Sequence, residues 1–252
     1  MKMHGNTILI TGGGSGIGRG LAEAFHQRGN QVIVTGRHRQ RLEALCQAHP
    51  GMVPVELDVR DPAAVRRGTA QIAADYPALN VLVNNAGIME LDDPAGPVDE
   101  EMLLATVTTN LGGPIRMSGA LVEHLRTQSD AVIINVTSIL AFVPLVPTAA
   151  YSATKAALHS YTLSQRYTLR SAGIRVIELI PPWVRTELLN SLEERRAMPL
   201  AEFIGATMIE LATDADEILV GQARRMRANP GPHEHDWINQ FNDLIAAGPP
   251  LG

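Results

Sequence analysis

Short apolar runs rich in β-branched residues alternate with stretches of helical spacing along most of this chain. Residues 7–10 (Thr-Ile-Leu-Ile) form an unalternated run closed by Gly12, Gly13 and Gly14, the pattern of a strand buried on both faces. Over 16–28, Ile17, Leu21, Ala24 and Phe25 recur at helical spacing, and Gly29 supplies the stop. Residues 31–35 predict a second strand and 39–48 a second helix, broken by Pro50. A third strand follows at 53–57. Asp61 as cap and Pro62 at the first helical position then start a third helix. Residues 80–83 and 131–136 read as strands four and five, with a long helix over 100–126 between them. A helix at 149–171, a sixth strand at 174–180 and a short seventh at 217–220 complete the pattern. This alternation implies right-handed crossovers, so the expected fold class is α/β: one doubly wound parallel sheet with helices on both faces. Residues 1–252 show no repeat or linker and read as a single domain with its core over 5–225. The segment 226–252, richer in Pro and Gly from Asn229 on, receives no element.

Composition narrows the function classes. Lys+Arg of 21 against Asp+Glu of 26 gives a net charge of −5, which argues against a nucleic-acid partner. A single cysteine, Cys46, permits no intramolecular disulfide and no Cys-clustered zinc site, so no metal is expected and a reducing, cytoplasmic location is. Residues 1–6 are too polar and too short for a signal peptide. The longest apolar stretch, 139–150, is interrupted by Pro144 and Pro147 and falls short of the ~20 residues of a membrane span.

Thr11-Gly12-Gly13-Gly14-Ser15-Gly16-Ile17-Gly18 follows the first strand and opens the first helix. Glycines there allow a tight turn and close backbone approach to a pyrophosphate, which the helix N-terminus binds through its N–H groups. Gly12, Gly16 and Gly18 give G-x-x-x-G-x-G rather than G-x-G-x-x-G. A plain strand-to-helix turn is the simpler alternative. The strand–loop–helix context favours a dinucleotide.

This glycine spacing resembles that of the short-chain dehydrogenase/reductase family, and four further matches fall in the family's order. Asn84-Asn85-Ala86-Gly87 follows the fourth strand, Asn110 lies in the next long helix, and Ser138 follows the fifth strand. Tyr151-x-x-x-Lys155 comes 13 residues after that serine. The resemblance spans about 7–186. It implies a Rossmann-type fold and a nicotinamide-dependent oxidoreductase interconverting a carbonyl and an alcohol on a small molecule. It further implies Asn110, Ser138, Tyr151 and Lys155 as catalytic residues. Cofactor contacts are implied for Gly12, Ser15, Gly16, Ile17, Gly18, Asp58, Val59, Asn85, Ala86, Gly87, Tyr151, Lys155, Pro181, Val184 and Thr186. Two departures stand out: Pro181-Pro182-Trp183-Val184-Arg185-Thr186 replaces the family's P-G-x-x-x-T, and no V-D-G-G-like ending follows the last strand.

The chemistry of the pair is legible without the resemblance. Tyr151 and Lys155, four apart, share a helix face. A tyrosine near pKa ~10 shuttles protons poorly at neutral pH, and a neighbouring ammonium lowers that value. Nineteen of the 21 basic residues are arginine, and Lys155 is the only lysine besides Lys2. Alone, the pair better describes a solvated helix face. Ser138 alone reads as a turn cap, and Asn110, followed by Gly112-Gly113-Pro114, as a helix break. By resemblance, Ser138 polarises the substrate oxygen and Asn110 holds a water that links the lysine to solvent. Asp58, by resemblance an adenine contact, alone caps a turn. His233-Glu234-His235-Asp236 reads as a solvated loop or helix start rather than a ligand cluster. Met89, Phe142 and Trp183 fit a pocket wall or the core. The uncharged loop 139–147, with 187–200, is expected to set specificity and to favour apolar or aromatic carbonyl compounds over anions and free sugars.

At the end of the second strand, Gly36 occupies the place ~20 positions after the glycine loop where an acidic residue would select NAD(H). Arg37 instead offers a planar fork to a 2′-phosphate, with Arg39 able to assist, so NADP(H) is expected over NAD(H). Ser15 departs from those NADP-dependent relatives that place a basic residue in the glycine loop. The long helices at 100–126 and 149–171 resemble those of the family's four-helix dimer interface, and the missing ending favours a homodimer over a tetramer. The alternative is a dinucleotide-binding sensor on the same fold, which the intact set of four residues disfavours. A sugar-nucleotide epimerase is disfavoured by the N-N-A-G motif and the short C-terminal region.

Overall fold

The computed structural model describes residues 1–228, 231 and 233–248. Seven parallel strands form one sheet: β1 (Thr7–Thr11), β2 (Gln31–Gly36), β3 (Val53–Glu56), β4 (Leu79–Asn84), β5 (Val132–Val136), β6 (Arg175–Ile180) and β7 (Glu217–Leu219). Their order is β3-β2-β1-β4-β5-β6-β7, so the direction of winding reverses between β1 and β4. That reversal opens a crevice at the carboxyl ends of the two strands, the usual ligand position of a doubly wound sheet.

Nine α-helices among the described residues complete the chain: α1 (Gly16–His26), α2 (Arg39–Ala48), α3 (Pro62–Asp75), α4 (Glu100–Val107), α5 (Gly113–Arg126), α6 (Ala149–Leu169), α7 (Leu200–Leu211), α8 (Ala223–Arg227) and α9 (Glu234–Ala246). Successive side chains of a strand point to opposite faces. Ile8 and Ile10 of β1 accordingly pack with Leu21 and Phe25 of α1 and Phe203 of α7. Leu9, between them, packs on the other side with Val65 and Ile72 of α3 and Met117 and Leu121 of α5. Covered on both faces, the central strands need no polar alternation. A third apolar cluster lies over the carboxyl end of the sheet, where Ile139, Leu140, Leu145 and Tyr151 meet Ile180, Met226 and, from α9, Phe241.

All seven expected strands are present, each within one residue of its expected bounds at either end. The helix expected over 100–126 is interrupted by a π-helical turn, Thr108–Gly112, between α4 and α5. Such turns are often found at functional sites, and this one contains Asn110. Sequence periodicity assigned no helix to α7, α8 or α9. The tail that received no element contains α9, which opens at Glu234 with His233 before it, so the His233–Asp236 stretch is a helix start. Asn229, Pro230, Pro232 and 249–252 of that tail lie outside the described residues. No helix among the described residues is long and apolar enough to cross a membrane.

Candidate active site

The glycine-rich loop leaves β1 at the reversal of strand order, and Gly12 takes a left-handed φ of +66° there. A β-carbon at Gly12 would stand 2.9 Å from Ala86 Cα, so this loop and the segment after β4 meet only where a side chain is missing. At Gly18 a β-carbon would run into the Gly12 carbonyl. Asn85 ties the two segments: its Nδ2 donates to the carbonyls of Thr11 (3.0 Å) and Gly12 (3.3 Å). The backbone N–H groups of Asn85 and Ala86 both donate to Thr11 Oγ1 at 3.0 Å. Ser15 precedes α1 in extended conformation and gives it no side-chain cap. The first-turn N–H groups, which have no intrahelical partner, therefore face a cavity lined by Ser15, Gly16 and Ile17.

That cavity, of about 1410 Å³, runs from the glycine loop past Asn85, Ala86 and Gly87 to Ser138, Tyr151 and Lys155. It is continuous across the whole site. Pro181, Val184 and Thr186, following β6, line it as well. Ser138 Oγ is hydrogen-bonded to the Tyr151 hydroxyl and accepts the Leu140 N–H at 3.1 Å, so it both caps a turn and touches the tyrosine. Lys155 Nζ donates to the Val136 carbonyl at 2.9 Å and lies 5.5 Å from the Tyr151 ring centroid. Burial pushes the Tyr151 phenol up to about 12, although the Ser138 hydrogen bond pulls it down. Burial also lowers the Lys155 ammonium to about 8. The phenol is thus raised, not lowered as anticipated from the neighbouring lysine, because desolvation is the largest effect on both groups.

Asn110 stands behind this pair rather than in the cavity wall. Its Oδ1 accepts the Ile88 N–H and its Nδ2 donates to the Ile88 carbonyl, both at 2.9 Å, with a third bond to Thr154 Oγ1 at 3.2 Å. Gly87 separates it from the lysine: a β-carbon there would stand 3.4 Å from Asn110 Oδ1 and 3.7 Å from Lys155 Nζ.

At the opposite end, Arg37 and Asp58 follow the adjacent strand ends of β2 and β3 and lie, with Val59, outside the cavity lining. The Arg37 guanidinium is exposed. Asp58 is held by Arg60 through bonds of 2.7–3.1 Å, which lower its pKa against the opposing effect of burial, with Arg37 adding to the lowering. Arg39 is occupied by Glu43, one turn on, at 2.7 Å. Val59 is buried in the core beneath α5, where Gly113 gives it room.

Several wall residues escaped sequence reading. Trp237, Gln240, Phe241 and Leu244 of α9 line the cavity, as do Gln222, Arg225 and Met226 around α8. Asn242 docks α9 onto the 139–147 loop, accepting the Val146 N–H at 2.7 Å and donating to the Pro144 carbonyl at 3.1 Å. Met89 and Trp183 line the cavity as well, whereas Phe142 lies outside its lining and packs edge-on against His159. Asp92 carries no motif at all, yet its carboxylate accepts the N–H groups of Ala149 (2.6 Å) and Ala150 (2.8 Å) and so caps α6 just ahead of Tyr151. Asp92→Ala is expected to destabilise the fold by about 1 kcal/mol, as the loss of a helix cap does. A urea-unfolding midpoint equal to wild type would show that α6 is held without it.

A family model described as short chain dehydrogenase matches residues 6–197. The chain belongs to the short-chain dehydrogenase family. It is 41% identical over 201 residues to an uncharacterized oxidoreductase, DltE, of Bacillus subtilis (strain 168), covering 79% of each chain. It is 33% identical over 247 residues to the NADPH-dependent 1-acyldihydroxyacetone phosphate reductase of Schizosaccharomyces pombe, covering 97% of this chain and 77% of that one. Among solved structures, a short chain dehydrogenase from Burkholderia cenocepacia J2315 in complex with NADP superposes with a TM-score of 0.84 at 29% identity, over 94% of this chain and 99% of that one. As a short-chain dehydrogenase/reductase, this protein is a nicotinamide-dependent oxidoreductase.

Proposed function

We propose that this protein is an NADP(H)-dependent reductase of a ketone or aldehyde group on an apolar or aromatic small molecule, with Tyr151 as the proton-transferring acid/base. One observation carries the reading: the hydrogen-bonded Ser138–Tyr151 pair, with Lys155 beside it, opens into the same cavity as an uncapped helix N-terminus. The glycine cradle fits a dinucleotide pyrophosphate, since Gly12, Gly16 and Gly18 leave the backbone there bare and the helix N-terminus opens onto the cavity. Gly12, Ser15, Gly16, Ile17 and Gly18 would hold the pyrophosphate, Asn85–Gly87 and Thr186 the nicotinamide half, and Asp58 and Val59 the adenine. When bound, the coenzyme supplies the hydride and, oxidised, a positive charge.

The chain's own groups handle the proton. A phenol pushed up to about 12 stays protonated at neutral pH, so Tyr151 is set to donate to an oxygen that gains charge as its carbonyl is reduced. Ser138 offers a second hydrogen bond to that oxygen. Lys155 places a cation behind the phenol, and Asn110 fixes the backbone at Ile88, next to the Gly87 that lies between it and the lysine.

NADP(H) is supported by Gly36 and the exposed Arg37, and by the NADP-linked relatives above. The wall next to Ser138 is made by Ile139, Leu140, Leu145 and Met89, which supports an apolar substituent beside the carbonyl. A panel of ketones and aldehydes, anionic ones included, read by NADPH absorbance, tests this. An aromatic or aliphatic carbonyl should show the highest kcat/KM, and an anion in first place would overturn the apolar assignment. We assign it to the cytoplasm on its single, free cysteine. Leu104 and Val107 on α4, Ile115 on α5 and Leu163 and Tyr167 on α6 stand exposed, and we take this face as a two-fold dimer contact. Light scattering should return twice the chain mass, and a monomer mass at micromolar concentrations would reject the dimer.

A further inference from the structure

β6 carries one buried charged side chain among apolar ones. Val176, Ile177, Leu179 and Ile180 are buried, and so, completely, is Glu178. Its carboxylate accepts the Thr137 hydroxyl at 2.8 Å and His159 Nδ1 at 2.9 and 3.0 Å. A buried acid held by polar partners is often no more stabilising than well-packed apolar side chains of the same volume. The stability of β6 therefore gives no reason for an acid at this position, whereas its two partners do.

Thr137 immediately precedes Ser138, and His159 lies one helical turn beyond Lys155. Tyr151, Lys155 and His159, spaced by four, share one face of α6. Three consecutive residues at the end of β5 reach this face in turn. The Val136 carbonyl takes the Lys155 ammonium, and Ser138 takes the Tyr151 hydroxyl. Thr137 reaches α6 only through Glu178, which bridges it to His159. The His159 ring is braced by Phe142, edge-on at 4.8 Å between centroids, from the turn that Ser138 caps.

We infer that Glu178 is a positioning residue that, through Thr137 and His159, completes a three-point clamp of residues 136–138 onto α6 and so keeps Ser138 Oγ on the Tyr151 hydroxyl. Glu178 touches no reacting atom. The inference rests on the reading of Tyr151 as the acid/base.

Thr137→Val removes the bridging hydroxyl at nearly constant volume, and Thr137→Ser retains it. Protein labelled with ¹³Cζ-tyrosine gives four signals, of which Tyr151→Phe identifies that of Tyr151. The Tyr151 signal should move in Thr137→Val and in His159→Leu, and stay in place in Thr137→Ser. With NADPH and 1-phenyl-1,2-propanedione, kcat of Thr137→Val should fall roughly 10- to 100-fold, as misplacement by an ångström or less does. KM and the NADPH Kd from fluorescence titration should hold, and Thr137→Ser should restore kcat. A folded Thr137→Val whose Tyr151 signal is unmoved, whatever its melting temperature, would overturn the inference, because a merely structural bridge changes stability alone. If Tyr151→Phe itself retains the wild-type kcat, the reading of the site fails instead. The resonance test needs no turnover and decides the matter even if the diketone is not reduced.

Discussion

Tyr151→Phe is expected to lower turnover by about 10²–10⁴-fold, the usual contribution of a positioned acid or base. The substitution keeps the ring, which packs in the apolar cluster over the sheet with Leu140, Leu145 and Ile180, and removes only the oxygen. Ser138 keeps its bond from the Leu140 N–H, so the turn it caps survives the change. The cradle at the other end of the cavity contains no tyrosine, and the NADPH Kd should stay close to wild type. Kinetics on the best carbonyl compound of the panel, with coenzyme titrated separately by fluorescence, check both halves. Near-normal turnover would remove Tyr151 from its assigned role. Loss of coenzyme binding would mean that the phenol hydroxyl holds the cofactor more than it serves the proton.

The second large effect concerns the choice of coenzyme. Wild type should prefer NADP(H) in kcat/KM, and Gly36→Asp/Arg37→Ala should swing toward NAD(H). The structure accommodates the acid: a β-carbon at Gly36 meets only the Leu42 side chain, at the ordinary distance of 3.7 Å, and its φ lies outside the left-handed region. An aspartate there would accept hydrogen bonds from a ribose hydroxyl and repel a 2′-phosphate. Arg37 is the cation best placed to meet that phosphate, because Arg39 is engaged by Glu43 and Arg60 by Asp58. A wild-type enzyme that favours NAD(H) would falsify the coenzyme assignment and leave the reading of Tyr151 untouched.

Much of this was written locally. The central parallel strands bury both faces, so residues 7–10, 132–136 and 175–180 appear as predominantly apolar runs without polar alternation, recognisable without their partners. The glycine loop, N-N-A-G and Tyr151-x-x-x-Lys155 are legible for a similar reason. Turn geometry, backbone approach and helical spacing are properties of a few consecutive residues. The π-helical turn was legible only as a helix break at Gly112-Gly113-Pro114. The bonds from Asn110 to Ile88 span 22 positions, and no local period records that contact.

The sequence by itself determined the order of the seven strands and of the helices as far as α6, the glycine cradle and the spacing of serine, tyrosine and lysine. Each of these depends on steric and hydrogen-bonding preferences that act within a few residues. Only the tertiary structure decided what surrounds them. Burial reversed the expected shift of Tyr151, since desolvation depends on every element packed over the phenol. Asp92 caps α6 from 57 positions away, Glu178 bridges Thr137 to His159 from the neighbouring strand, and α9 closes the cavity from the far end of the chain. Those contacts join residues that sequence order holds apart, and they exist only once the chain has folded.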